Sequence, residues 1–145
     1  HYTLLEVVMR EDKRPKGGEE LYIGEGDRDK VEFIKSRINY DDLTGNAKNE
    51  LKYVLDAMIN ENEDQFVEFF NTATPVTPRR HAFELLPGIG SKHMQKLLDE
   101  RDVEDFESFE DINDRVPSMP NAKETVRKRI VQELKGEDIR TRLFT

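Results

Sequence analysis

Cysteine is absent from the 145 residues, which excludes disulfides and thiolate zinc sites and removes any sign of secretion. No apolar run approaches the roughly 20 residues of a membrane-spanning helix, and no signal peptide is visible. The chain is therefore expected to be cytoplasmic, with no membrane partner. Basic charge is also scarce: 23 Lys and Arg stand against 31 Asp and Glu, for a net charge of −8. As an average, that balance argues against a nucleic-acid partner. What is present is 35% hydrophobic and 37% charged residues, a composition of small cores under a heavily charged surface. The length fits one mid-sized domain or two small ones.

The charge is unevenly spread. Residues 79–98 hold four basic residues, Arg79, Arg80, Lys92 and Lys96, against Glu84. Residues 99–114 hold Arg101 against nine acids, and residues 115–135 hold six basic residues against Glu124 and Glu133. Two basic segments thus flank an acidic one. Screening confines attraction to phosphate to about 8 Å at physiological salt, so the average does not decide the matter.

Residues 1–40 read as β structure. Tyr2–Met9 is a mostly apolar run, Pro15–Gly18 breaks it, Leu21-Tyr22-Ile23 resumes it, and Val31, Phe33, Ile34 and Ile38 suggest a third strand. Three strands seldom close a barrel. The alternatives are a small sheet packed on helices or a barrel whose first strands lie upstream. Because the chain opens in strand-like sequence, residue 1 is not expected to be a natural start.

Residues 41–75 read as helical. Thr44 or Asn46 can cap a helix that puts Ala47, Leu51, Val54, Leu55 and Met58 on one face, and a second helix, capped near Asn62, carries Phe66, Val67, Phe69 and Phe70. Thr74-Pro75-Val76-Thr77-Pro78 is the clearest break, since neither proline continues a helix. The main domain boundary is placed there.

The most informative stretch is Leu85-Leu86-Pro87-Gly88-Ile89-Gly90-Ser91-Lys92. An apolar helical run (Ala82, Phe83, Leu85, Leu86) stops at Pro87, and a helix carrying Met94, Leu97 and Leu98 starts near Ser91. The two glycines are expected to supply backbone angles closed to other residues and to let a partner approach. Ile89 between them is expected to plug the gap between the helices. The amides opening the second helix, beside Lys92, then form an anion site. At an offset of 30, Pro117-Ser118-Met119-Pro120 falls on Pro87-Gly88-Ile89-Gly90, with a short helix capped by Ser108 before it and a helix through Val126, Ile130, Val131 and Leu134 after it. Pro120 stands where a glycine stood and has no N–H, so the second turn is expected to be the weaker. Residues 78–135 are expected to be helix and turn throughout, with Ile89 and Met119 buried.

The pattern apolar, any residue, Gly, apolar, Gly resembles the helix-hairpin-helix motif, in which hairpin amides hold a nucleic-acid phosphate without reading bases. More widely, the chain resembles an uncharacterised archaeal family regarded as RNA-binding. The resemblance rests on Leu21-Tyr22-Ile23-Gly24-Glu25-Gly26, Phe66-Val67-Glu68-Phe69-Phe70-Asn71, residues 84–90, residues 106–112 and the tail Arg142-Leu143-Phe144-Thr145. It implies an α+β protein: a partial OB-like antiparallel β part over residues 1–43, truncated at its N-terminus, connecting helices over 44–77, and a tandem helix-hairpin-helix domain over 78–145.

Enzyme readings find little support. His1, His81 and His93 lack metal-ligand spacing, and His81 and His93 are read as helix-surface residues. Gly24-Glu25-Gly26 lacks the third glycine of a dinucleotide loop, and no activated nucleophile stands out. No catalytic residue, metal or cofactor is expected. The expected nucleic-acid contacts are Gly88, Ile89 as plug, Gly90, Ser91, Lys92 and Lys96 in the first unit and Asn121, Lys123 and Arg127 in the second, with Arg79 and Arg80 within reach. Lys128 and Arg129 read as solvated. The chain is thus expected to be a non-enzymatic nucleic-acid-binding protein, with RNA favoured over DNA on the family resemblance alone. The alternatives are a protein–protein adaptor and an accessory fragment of a nucleic-acid-processing enzyme.

Overall fold

The computed structural model describes residues 2–136 and 139–145. The fold is α+β. Two antiparallel strands, β1 (Leu5–Met9) and β2 (Val31–Arg37), precede α1 (Gly45–Glu61) and α2 (Glu63–Thr72). A second small hairpin, β3 (Pro75–Thr77) and β4 (Arg80–His81), leads into α3 (Ser91–Val103), α4 (Phe109–Arg115) and α5 (Ala122–Lys135). Among the described residues no helix is long and apolar enough to cross a membrane.

The strand expected at Leu21-Tyr22-Ile23 does not form. That segment closes on itself instead: the Tyr22 hydroxyl donates to the Glu25 carbonyl (2.7 Å), and Arg28 Nε donates to that of Gly24 (3.0 Å). Local side-chain bonds of this kind compete with a sheet ladder. Among the described residues before α1, β1 and β2 are the paired strands, from Leu5 opposite Arg37 to Met9 opposite Val31, with irregularities after Glu6 and Val8.

Thr44 caps α1, its hydroxyl accepting the Ala47 N–H at 3.1 Å. The buried stripe of α1 is Leu55 and Ile59, while Met58, expected on the inner face, is 40% exposed. Asn62 precedes α2 without capping it; its side-chain amide donates back to the Met58 carbonyl at 2.8 Å. The proline-rich break is the β3–β4 hairpin, so residues 78–135 are not helix and turn throughout. Pro75 is tolerated there because the hairpin is all edge. The expected helical run at 82–86 is a single 3₁₀ turn, Ala82–Leu85.

One core joins the helices across that hairpin, from Leu55 and Ile59 through Phe66, Phe70, Phe83, Leu86 and Leu97 to Ile112, Val126 and Ile130. Guanidinium groups close the helix ends around it. Arg101 Nη1 donates to the Phe70 and Ala73 carbonyls at the end of α2 (3.3 and 2.8 Å). Arg115 donates to the carbonyls of Glu100 and Glu104 at the end of α3 and lies over the Phe106 ring. These bonds satisfy terminal carbonyls that no helix can satisfy internally.

Arg129 and Glu133, one turn apart on α5, are both buried, which corrects the reading of Arg129 as solvated. Arg129 Nε donates to Glu133 Oε2 at 2.9 Å, and its other nitrogens donate to the carbonyls of Leu85 and Thr141. The Glu133 carboxylate also accepts the N–H groups of Leu143, Phe144 and Thr145. The tail is thereby fastened to the body, and the Tyr2 N–H donates to the Phe144 carbonyl (3.2 Å) to bring the chain's start beside it.

Candidate nucleic-acid interface

Two turns of similar build face each other between the helices. In the first, the Ile89 N–H donates to the Leu86 carbonyl; in the second, the Met119 N–H donates to that of Val116. The offset of 30 therefore holds through the turns. Ile89 and Met119 are both buried, each 7% exposed. Beyond them the offset becomes 31. Gly90 precedes α3 directly, whereas Pro120 is an extra residue and Asn121 is the N-cap of α5. Pro120 thus corresponds to no residue of the first turn, and the expectation that it replaces a glycine is corrected.

The glycines differ in role. Gly88 has φ +81°, while Gly90 has an ordinary φ of −97° and open space around it. Only Gly88 needs to be glycine for its backbone angle. The first turn is held from α5: the Thr125 hydroxyl donates to the Pro87 carbonyl, and Arg129 Nη1 donates to that of Leu85 (3.2 Å).

The amides at the two helix starts differ more. Gly90 has no side chain to cap α3, and among the described residues the N–H groups of Ser91, Lys92 and His93 have no acceptor. The Gly90 N–H itself donates to His93 Nδ1 at 3.2 Å, so His93 belongs to the turn and is not a bystander on the helix surface. At α5, the Ala122 N–H donates to Asn113 Oδ1 (2.8 Å) and the Glu124 N–H to Asn121 Oδ1 (3.2 Å). Among the described residues, the Lys123 amide alone is left over there.

The charges follow the same division. Lys92 and Ser91 are exposed, and Lys92 has no ion pair among the described residues. Lys96 lies near Glu100 at 3.9 Å. Lys123 is half-buried and also unpaired among the described residues. Arg127 turns away from the turns to Asp56 of α1 (3.2 Å, outside hydrogen-bond geometry) and to Glu124 (3.7 Å), so it is corrected from a phosphate contact to an inter-helix tie. Asn121 is a cap. The third residue of α5 is Glu124, whose pKa is lowered first by the Lys128 ammonium 3.1 Å away and then by the charges of Arg127 and Lys52. It stays ionised, and its charge opposes an anion at that helix start. The same position in α3 holds His93.

His81, beside the first turn, is also buried, which corrects its reading as a surface residue. Its Nδ1 accepts the Phe83 N–H (3.0 Å), and Glu84 accepts the His81 N–H (3.0 Å). Burial, and then the charge of Arg101, lower its pKa; the Ala73 carbonyl opposes this from outside hydrogen-bond geometry with Nε2. His1, the remaining histidine of the metal reading, lies outside the described residues. Among the described residues no three His, Asp or Glu side chains gather as a metal site.

A family model described as a protein of unknown function, DUF655, matches residues 1–145. An uncharacterized protein of Methanocaldococcus jannaschii is 40% identical over 136 residues, 94% of this chain and 62% of the relative. The chain thus spans under two thirds of that relative's length. A crystal structure of a DUF655 protein from Archaeoglobus fulgidus superposes with a TM-score of 0.91 at 44% identity, covering 98% of this chain and 79% of the other.

Proposed function

This chain belongs to the DUF655 family, whose function is unknown, and we propose that it binds the backbone of nucleic acid, RNA before DNA, through a tandem helix-hairpin-helix unit. The observation that carries the reading is the asymmetry of the two helix starts. Three uncapped amides open α3 beside exposed Lys92, whereas caps from Asn113 and Asn121 close α5 beside ionised Glu124. Uncapped amides, a helix N-terminus and a cation form a site for phosphate and carry no base code. The second turn is then a structural brace, with Lys123 as an accessory charge. The preference for RNA rests on the family resemblance alone. An OB-like role for β1 and β2 requires strands beyond these two.

About two or three phosphate contacts set the scale. At about 0.9 per duplex phosphate the log–log salt slope is near −2 to −3, with affinity of roughly 10⁻⁴ to 10⁻⁶ M. The test titrates labelled single- and double-stranded RNA and DNA at two salt concentrations with the wild type, Lys92→Glu and Lys123→Glu. Lys92→Glu should weaken binding about tenfold, or roughly 1.4 kcal/mol, and Lys123→Glu distinctly less. No loss from Lys92→Glu overturns the reading. Retained affinity with a slope near zero turns it toward base stacking or a protein partner.

A further inference from the structure

We propose that the cleft between the N-terminal strands and the end of α5 binds a phosphate monoester of nucleotide size. The cleft has a volume of about 630 Å³, within the roughly 300–1,000 Å³ typical of small-molecule sites. It lies where the β hairpin meets the helical body, far along the chain from the turns described above.

Two guanidinium groups line it. Arg37 ends β2, and Arg142 comes from the C-terminal tail. Neither forms an ion pair among the described residues. Arg142 is held in place by bonds to neutral oxygens alone, its Nη1 donating to the Glu133 carbonyl (2.9 Å) and to Thr145 Oγ1 (2.8 Å). Glu133 also borders the cleft, yet its carboxylate cannot serve as their counter-ion. Its oxygens are taken by three tail amides, the Thr145 hydroxyl and Arg129. Among the described residues neither guanidinium has a carboxylate partner, so in a chain of net charge −8 both remain open to an anion from outside.

The guanidinium fork matches phosphate oxygens in geometry and keeps its charge at any physiological pH. A dianionic monoester balances both arginines, which a single carboxylate does not. The rest of the lining suits an organic body attached to that phosphate. Ile38 and Leu134 supply apolar wall, and Thr3 and Asn39 supply donors and acceptors for hydroxyl groups or a base edge.

The test is calorimetric titration of the full chain with AMP, with adenosine, and with AMP in the presence of inorganic phosphate. The wild type should bind AMP saturably below about 1 mM, adenosine at least about tenfold more weakly, and phosphate should compete. Arg37→Gln is the decisive variant, because the Arg37 side chain makes no hydrogen bond within the described structure that the fold would miss. It should weaken AMP about tenfold with an unchanged melting temperature. A 5′-phosphorylated trinucleotide that binds more tightly than AMP assigns the monoester to a strand end; weaker binding assigns it to a free nucleotide. Lys92→Glu should leave AMP binding unchanged, which separates this site from the first turn. Absence of saturable AMP binding, equal binding of adenosine, or unchanged binding by Arg37→Gln overturns the proposal.

Discussion

A β-carbon placed on Gly88 would lie 2.8 Å from Cγ of Pro120, so the two turns touch at a point where one partner has no room for a side chain. The contact is between the residue that makes the first turn possible and the residue inserted into the second.

Gly88→Ala should accordingly be among the costly substitutions. The left-handed backbone alone contributes about 1–2 kcal/mol, and the clash adds to it. Pro120→Ala in the same chain should recover the clash and leave the backbone cost. Urea denaturation of the two single variants and the double variant measures this coupling. A Gly88→Ala protein as stable as wild type would contradict the contact.

Gly90→Asn should behave in the opposite way. Gly90 has an ordinary φ, and a β-carbon added there would meet no atom within 4 Å, so asparagine fits. It copies the Asn121 cap and should stabilise the protein by a few tenths of a kcal/mol. By occupying the His93 amide it should weaken nucleic-acid binding. Denaturation and salt-dependent titration should therefore move in opposing directions, and a parallel change would show that the uncapped amides do not hold phosphate.

Glu133→Gln should cost about 3 kcal/mol, since it removes the charge that partners buried Arg129 and sets a donor in place of one carboxylate oxygen, against either Arg129 or the amides of Leu143, Phe144 and Thr145. Hydrogen exchange at those three amides should rise well before exchange in α3. Unchanged protection of the tail would show that the carboxylate does not hold it.

His81 gives the fold a pH dependence. Its pKa is lowered in the folded state, first by burial and then by Arg101, so the unfolded chain binds the proton more readily. The neutral-His contribution is present in full above the unfolded value of about 6.5 and declines as pH falls from there to the folded value. His81→Asn keeps an acceptor for the Phe83 N–H but does not titrate. The urea midpoint of the wild type should fall more between pH 7.5 and 5.5 than that of the variant, and matching profiles would clear His81 of this role.

How far the chain can be read without its fold varies by element. The Thr44 and Ser108 caps, the start of α3 at Ser91 and the burial of Ile89 and Met119 are legible, because each depends on residues within a turn or two of itself. Leu21-Tyr22-Ile23 misleads, since an apolar triplet reads as a strand whether or not a neighbour arrives to pair with it. The offset of 30 is visible, but the inserted residue is not. A proline over a glycine looks like substitution until hydrogen bonds show where each helix begins.

The local devices of this protein are written in its chain: which residues cap, which turn, which face inward, and that basic segments flank an acidic one. Which charges remain available is settled only by the folded arrangement. Arg101, Arg115, Arg127 and Arg129 look alike in the chain, yet each meets a carbonyl or carboxylate on another element, as Arg142 of the tail meets the Glu133 carbonyl, while the side chains of Lys92 and Arg37 make no such contact among the described residues. The physical reason is distance along the chain. A cap is set by neighbours three residues away, but the partner of a guanidinium can lie 28 or 44 residues away, as Ala73 does from Arg101 and Leu85 from Arg129. Nothing in local spacing encodes that pairing.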